Sequence, residues 1–99
     1  MCGAPAQDTG LESVDMARET VIQGKVLRDG APVPAAYVRL LDSSGEFTAE
    51  VVTSATGDFR FFAAPGTWTL RALAPGSQGE RTVAADTGLN NLQLDLAPA

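Results

Sequence analysis

The fold of this chain is decided by the stretch TGDFRFFAAPGTWTLRAL, residues 56–73. Two turn signals, Gly57-Asp58 and Pro65-Gly66, bracket a short segment in which Phe59 and Phe61 point to one face. After the second turn, polar residues again alternate with an apolar set, which consists of Trp68, Leu70 and Ala72. Alternation with a period of two between turn residues is typical of half-buried antiparallel strands. The stretch therefore predicts two neighbouring strands of an all-β protein.

The same alternation continues on both sides of this stretch. We predict seven strands, at residues 20–27, 36–41, 47–53, 58–62, 68–73, 81–85 and 92–96, with residues 74–79 as the longest loop and residues 86–91 as a turn. Ten glycines and six prolines favour short strands joined by tight turns. Strands at this spacing predict a seven-stranded Greek-key β-sandwich. Its core is expected to contain Ile22, Val26, Val38, Leu40, Phe59, Phe61, Trp68, Leu70 and Leu94.

Residues 1–18 differ from the rest because they are small and acidic and lack the alternation. Thr9 and Glu12 form a Thr-x-x-Glu pattern that could cap a short helix over residues 10–17, and the alternative is an arm that runs along the sandwich. We therefore divide the chain into a flexible N-terminal arm, residues 1–18, and a β-sandwich domain, residues 19–99.

The length, net charge and residue composition of the chain argue against several classes of binding partner and of functional site. Ninety-nine residues suit one domain, and a net charge of −5 with scattered arginines argues against nucleic acid and anionic membranes as partners. One cysteine and no histidine argue against a disulfide framework, and we expect no metal and no cofactor. The start lacks a signal-peptide pattern and no apolar run approaches the roughly 20 residues of a membrane span. We expect a cytoplasmic protein.

Enzymatic chemistry is not expected. Hydroxyl side chains such as those of Ser43 and Ser44 have no histidine to activate them, and Lys25 is the only lysine. Each of the three turn aspartates is expected to bond the local backbone rather than a calcium ion: Asp29, Asp42 and Asp58. We predict that the protein is not an enzyme.

A binding module acts through its surface, and four outward side chains are candidates for a binding surface. They are Tyr37, Arg39, Arg60 and Arg71. Tyrosine and arginine are enriched at interaction hot spots, so these residues would form a binding patch if their strands are neighbours in one sheet. The alternative is that they are ordinary solvent-facing residues with cross-strand partners such as Glu50.

Several segments resemble a known domain. GKV (24–26), GAPVPAAYVRL (30–40), GDFRF (57–61) and PGTWTL (65–70) resemble the carboxypeptidase regulatory-like domain, a transthyretin-related β-sandwich. Residues 36–73 and the Met-Cys start are similar to the SseC-like actinobacterial family, whose biochemical function is unknown. Members of that family are usually encoded beside a rhodanese-type thiosulfate sulfurtransferase. The resemblance implies an accessory protein of sulfur metabolism that docks on this enzyme.

Cys2 is the candidate sulfur acceptor under this interpretation. Removal of Met1 would place the Cys2 thiol beside the terminal ammonium, which favours the nucleophilic thiolate, and a thiolate can take up sulfane sulfur as a persulfide. The alternative is a protein- or glycan-binding or scaffolding module in which Cys2 has no role. A homodimer formed through an edge strand is a third hypothesis, compatible with either.

Overall fold

The computed structural model describes residues 19–98, and every regular element within them is a β-strand. The strands are β1 (Thr20–Arg28), β2 (Ala31–Pro32), β3 (Tyr37–Leu41), β4 (Phe47–Val52), β5 (Asp58–Ala63), β6 (Gly66–Ala74), β7 (Ser77–Ala85), β8 (Gly88–Asp95) and β9 (Ala97–Pro98). The predicted arm, with Cys2, lies outside the described residues. No helix within residues 19–98 is long and apolar enough to span a membrane.

The strands form two sheets that pack face to face. In the four-stranded sheet, β1 is central, with β5 and β2 along one edge and β8 along the other. The five-stranded sheet has the order β4-β3-β6-β7-β9. All pairs are antiparallel except β1 and β8, which run parallel from Thr20↔Gly88 to Leu27↔Asp95. Seven strands have five or more residues, so the predicted Greek-key β-sandwich is confirmed, with β2 and β9 as two-residue additions.

The core lies between the inner faces of the two sheets. Eight of the nine predicted core residues are buried, and Trp68 is partly buried against the same cluster. The indole Nε1 of Trp68 donates a hydrogen bond to the carbonyl of Ala64 at 2.8 Å, which explains why this side chain lies where its polar end can reach a partner. The three alternating leucines of the C-terminal strand region, Leu92, Leu94 and Leu96, are all buried.

Two predictions at the C-terminal half were wrong. Residues 74–79 are not a loop, because Pro75 and Gly76 alone form a two-residue turn between Ala74 and Ser77 and β7 begins at once. Residues 86–91 are not all a turn, because β8 begins at Gly88. Gly79 lies within β7, and packing explains why this strand position holds glycine: a Cβ atom there would collide with the backbone carbonyl of Asp95.

One irregularity changes which side chains face outward on β4. The register between β3 and β4 shifts between Leu40 and Leu41, so that Leu40 opposes Ala49 whereas Leu41 opposes Phe47. A bulge of this kind moves the following side chain to the other face of the sheet. Phe47 is therefore exposed, although the simple alternation placed it on the same face as Ala49 and Val51.

Gly24 lies in the middle of β1, where the backbone of a neighbouring strand approaches closely. A Cβ atom at this residue would overlap the carbonyl oxygen of Leu92 on β8 and would lie 3.2 Å from the ring of Phe59. The parallel pairing of β1 and β8 therefore depends on glycine at this position.

Thr53 ties the end of β4 to the segment between β2 and β3. Its buried hydroxyl accepts a hydrogen bond from the backbone N–H of Ala36 at 2.8 Å and donates one to the carbonyl of Val33 at 2.7 Å. The backbone N–H of Thr53 also donates to the carbonyl of Ala36 at 2.9 Å. These bonds satisfy buried backbone groups that no strand ladder reaches.

Candidate functional site

The outer face of the five-stranded sheet carries three of the four predicted surface residues. Tyr37 and Arg39 lie on β3, Arg71 lies on the neighbouring strand β6, and all three point away from the core. Two cross-strand rows contain them, in the order β4-β3-β6-β7: Val52–Tyr37–Leu73–Gln78 and Glu50–Arg39–Arg71–Glu80. We call these eight residues the tyrosine–arginine face.

The charged row has two arginines in the middle and a glutamate at each end. The Nε of Arg39 donates to Oε2 of Glu50 at 2.8 Å, and the Nε of Arg71 donates to Oε1 of Glu80 at 3.1 Å. Within residues 19–98 the Nη groups of the two arginines make no further hydrogen bonds. Each guanidinium is therefore oriented by one carboxylate, and its outer donors are available to form hydrogen bonds.

The surface around this row is shallow. A depression of about 470 Å³ is lined by Arg39, Arg71, Leu73, Gln78, Gly79 and Glu80. Tyr37 lies beside it with 53% of its surface exposed. No group of three or more metal-binding side chains occurs within residues 19–98. The arrangement offers hydrogen-bond donors, an aromatic ring and fixed charges, which suit recognition of another surface.

Arg60 is not part of this face, although the sequence prediction grouped it with the other three. Strand β5 belongs to the four-stranded sheet, so Arg60 lies on the opposite outer surface of the sandwich. There its Nε donates to Oε1 of Gln23 at 3.1 Å, and Nε2 of Gln23 donates to Oδ1 of Asn91 at 3.1 Å. Arg60 is separated from the tyrosine–arginine face by the strand order, which a single sequence does not reveal.

Only one of the three turn aspartates bonds the local backbone as predicted: the carboxylate of Asp42 does so, whereas that of Asp58 bonds side chains and that of Asp29 forms no hydrogen bond within residues 19–98. Asp42 accepts bonds from the hydroxyl of Ser44 and from the backbone N–H groups of Ser44 and Glu46 at 2.7, 2.9 and 3.0 Å, and the Ser44 hydroxyl bond contributes most to lowering the pKa of Asp42. Asp58 accepts a bond from Nζ of Lys25 at 2.8 Å, which is the main reason that the pKa of Asp58 is lowered. Both carboxylates serve as structural elements of their turns.

Glu80 is the charged member of the face that the sequence interpretation missed. Glu80 lies between the predicted loop, residues 74–79, and the predicted strand, residues 81–85, so the alternation assigned its side chain to neither face of a sheet. Placing the start of β7 at Ser77 puts Glu80 outward and opposite Arg71. The signal that could have located it is the Pro75-Gly76 pair read as a two-residue hairpin turn.

Known proteins resemble this chain in sequence and in fold. An uncharacterized protein of Mycobacterium tuberculosis is 62% identical over 85 residues, which is 84% of this chain and 85% of the relative. An uncharacterized protein of Mycolicibacterium smegmatis is 59% identical over 87 residues, 87% of this chain and 96% of the relative. The crystal structure of a DUF3823 family protein from Parabacteroides merdae superimposes with a TM-score of 0.66 at 18% identity.

That structural match covers 82% of this chain and 47% of the longer Parabacteroides chain, and at this identity it supports the β-sandwich fold alone. The sequence match is broader, because the family model described as "Protein of unknown function (DUF1416)" covers residues 2–96. The chain therefore belongs to the DUF1416 family of proteins of unknown function.

Proposed function

We propose that this protein is a non-enzymatic accessory protein that docks on a partner protein through its tyrosine–arginine face. The observation that supports this most directly is the pair Arg39 and Arg71, side by side with oriented guanidinium groups and uncommitted outer donors. Tyr37 adds an exposed aromatic ring next to them. Arginine and tyrosine supply a large share of the binding energy at protein interfaces, and paired guanidinium groups favour a partner with surface carboxylates.

We propose a rhodanese-type thiosulfate sulfurtransferase as that partner. The choice of this partner rests on the similarity of residues 36–73 to the SseC-like family and on gene neighbourhood, because members of that family are usually encoded beside such an enzyme. The proposal separates two tasks. The tyrosine–arginine face docks, and Cys2 receives sulfur.

The transfer step conserves atoms and electrons. The Cys2 thiolate attacks the outer sulfur of the enzyme's cysteine persulfide, the bond between that sulfur and the enzyme's Sγ breaks, and the enzyme's cysteine leaves as a thiolate. The proton of the persulfide stays on the transferred sulfur, so Cys2 becomes a persulfide and no external oxidant or reductant is needed.

Docking is tested by the binding of the purified full-length chain to the purified sulfurtransferase. We expect Arg39→Ala and Arg71→Ala each to weaken the affinity at least about tenfold, as hot-spot residues do. Arg60→Ala, on the opposite surface, is the matched control and should leave the affinity within about twofold. Absence of binding by the unaltered chain would overturn the choice of partner, and equal effects of all three changes would overturn the choice of face.

Sulfur acceptance is tested by intact mass spectrometry after incubation with the sulfurtransferase and thiosulfate. The expected result is a chain without Met1 that has gained the mass of one sulfur atom, with the gain reversed by a thiol reductant and absent in Cys2→Ser. A gain that persists in Cys2→Ser, or no gain while docking is observed, would remove Cys2 from the proposal and leave the docking function standing.

A glycan-binding module is the second candidate, and the exposed ring of Tyr37 beside the shallow depression favours it. A sugar ring could stack on Tyr37 while Gln78 and the arginines supply hydrogen bonds. An oligosaccharide array probed with the full chain and with Tyr37→Ala distinguishes the two. Saccharide binding that depends on Tyr37, together with no binding to the sulfurtransferase, would favour this second function.

A further inference from the structure

Strand β4 is an edge strand whose outward backbone groups lack partners. It is the first strand in the order β4-β3-β6-β7-β9, so only the side that faces β3 is paired. The N–H of Thr53, just after β4, donates to the carbonyl of Ala36 and so faces β3. Because these groups alternate between the two sides of an antiparallel strand, Glu50 and Val52 direct their N–H and carbonyl groups away from β3. Within residues 19–98 those groups form no hydrogen bond, which leaves this edge available for a further strand.

Other edges of the sandwich are protected. Arg81 lies on the same side of β7 as the buried Ala85, so it places a charge on the inward side of an edge strand, and its Nη1 donates to the carbonyl of Gln93 on β8 at 3.1 Å. At the start of β5, the Oγ of Ser54 accepts from the N–H of Asp58 at 3.1 Å, and the N–H of Ser54 donates to the carbonyl of Asp58 at 3.0 Å. Inward charges and occupied backbone groups both oppose pairing with another strand.

Strand β4 has neither kind of protection over its regular part. Ala49 and Val51 are the inward side chains there, and both are partly buried against the core. Val52, on the outer face, is 48% exposed, and β4 contains no proline. A strand added to this edge would therefore cover a half-exposed flank of the core in addition to pairing the backbone.

The bulge and the charge of Glu50 determine how β4 can pair with a second copy of itself. Because the bulge ends the regular part of the strand at Ala49, Glu50 and Val52 are its regularly spaced outward residues. A two-fold axis at Val51 places Glu50 of each copy opposite Val52 of the other. An axis at Glu50 would oppose two carboxylates, and an axis at Val52 would require the N–H of Ser54, which is already bonded within the chain. The strand is thus self-complementary in one register.

We propose that two copies of this chain associate through β4, with Glu50 of each copy opposite Val52 of the other and the two Val51 residues on the axis. The pairing forms about four backbone hydrogen bonds and joins the two five-stranded sheets into one continuous sheet. The axis is perpendicular to the sheet, so the two tyrosine–arginine faces lie side by side on the same surface. This inference goes beyond the proposed docking function and does not depend on the identity of the docking partner.

Sedimentation equilibrium of the purified full-length chain tests the association, with a thiol reductant present to prevent a disulfide between two Cys2 residues. We expect a monomer–dimer equilibrium. Val52→Pro should raise its Kd at least about tenfold, because proline removes an outward N–H that the β3–β4 ladder does not use, and the symmetry repeats this loss. A chain that is monomeric at about 1 mM, or a dimer that Val52→Pro does not weaken, would overturn the proposal.

Asn91→Pro is the matched control on a different edge. The N–H groups of Gly88 and Leu96 donate to carbonyls of Glu19 and Leu27, so the alternation directs the N–H of Asn91 towards the outer edge of β8. This variant should leave the Kd of the dimer within about twofold, because β8 takes no part in the proposed interface. An equal weakening by both proline variants would overturn the assignment to β4.

Amide hydrogen exchange followed by NMR locates the interface without any substitution. The N–H groups of Glu50 and Val52 should exchange rapidly in the dilute monomer and at least about tenfold more slowly where the dimer predominates. Val51, whose N–H lies in the β3–β4 ladder, should be protected at both concentrations, and Asn91 should gain no protection. Protection of Glu50 and Val52 that is independent of concentration would overturn the proposal in favour of a partner within the same chain. A concentration-dependent gain confined to Asn91 would overturn it in favour of β8.

Discussion

Arg39 and Arg71 lie directly opposite each other on neighbouring strands, and each is held on its far side by a glutamate of the next strand. Two like charges in direct cross-strand opposition destabilise a sheet, whereas opposite charges stabilise it. The row Glu50–Arg39–Arg71–Glu80 therefore combines one unfavourable contact with two favourable ones. Its net charge is zero, although its centre is cationic.

The glutamates of this row should contribute to stability by neutralising the arginine pair. We expect Glu50→Gln and Glu80→Gln each to lower the free energy of unfolding by about 0.2–1 kcal/mol, the range for exposed pairs. The double variant should lose more than the sum, because both guanidinium groups then face each other without a carboxylate. Urea unfolding measures this, and Glu46→Gln, whose side chain makes no ion pair within residues 19–98, is the control. Losses that are unchanged at about 1 M salt would contradict an electrostatic origin.

Gly24 should tolerate no side chain. Gly24→Ala drives a Cβ atom into the backbone carbonyl of Leu92, and because backbone cannot move aside as a flexible side chain does, we expect a loss of at least about 3 kcal/mol in the free energy of unfolding. Gly45→Ala is the control: its Cβ would meet nothing within 4 Å, and only the positive φ of 87° opposes it, at a cost of about 1–2 kcal/mol. Similar losses for the two variants in urea unfolding would show that the β1–β8 contact is looser than described.

The buried hydroxyl of Thr53 should matter more than its methyl group. Thr53→Val keeps the shape but leaves the N–H of Ala36 and the carbonyl of Val33 without that partner, at a cost of about 1–3 kcal/mol for each unsatisfied group. Thr82→Val is the isosteric control on an exposed strand position, where the hydroxyl faces that of Thr69 at 3.2 Å, and it should change stability by less than about 0.5 kcal/mol. Thermal or urea unfolding of the two variants provides the comparison.

The two lowered carboxyl pKa values have different causes, and this predicts a selective response. Lys25→Gln should raise the pKa of Asp58 towards its ordinary value of 3.8, because the hydrogen bond from Lys25 is the largest contribution to its lowering. The pKa of Asp42 should not move, because the hydroxyl of Ser44 lowers it. Carboxyl-carbon NMR titration of the unaltered chain and the variant measures both. An unchanged Asp58 would assign the lowering to Thr56 and Ser54 instead.

The lowered pKa of Asp58 also determines how the stability of the fold responds to acid. The folded-state pKa of Asp58 lies below its unfolded value, so its contribution to stability is complete above pH 3.8 and is lost as the pH falls through the lowered folded-state pKa. Asp58→Asn should therefore reduce the dependence of stability on pH below about pH 4 and leave that dependence unchanged near neutrality. A variant that responds to acid as the unaltered chain does would contradict this assignment.

The sequence predicted the parts of the fold that depend on local pattern. Alternation located the inward side chains of β1, β3 and β5 correctly, although Val21 and Leu41, which the same alternation places on the outer faces, are buried as well. It failed where a single residue interrupts the period, as at the bulge after Leu40 that turns Phe47 outward. It also failed at Gly79 and Gly88, where glycine within a strand was interpreted as loop.

For the tyrosine–arginine face too, some features follow from the local sequence and others depend on how distant strands pair. That Tyr37, Arg39 and Arg71 point outward follows from the strands themselves, and their adjacency follows from the pairing of β3 with β6. The exclusion of Arg60 depends on β5 crossing to the other sheet, which is decided by long-range packing and leaves no mark on the neighbouring residues. Partners across strands, such as Glu80 for Arg71, become identifiable only once the register is known.

The parallel pairing of β1 with β8 has a consequence for biosynthesis. Of the strands within residues 19–98, β1 is synthesised first and lies at the centre of its sheet, and one of its two ladders is completed only by residues 88–95. An incomplete chain thus presents the open edge of β1, with its N–H and carbonyl groups unpaired, throughout most of translation. We therefore expect the sandwich to close only after residues 88–95 are available, and chains shortened before β8 to aggregate.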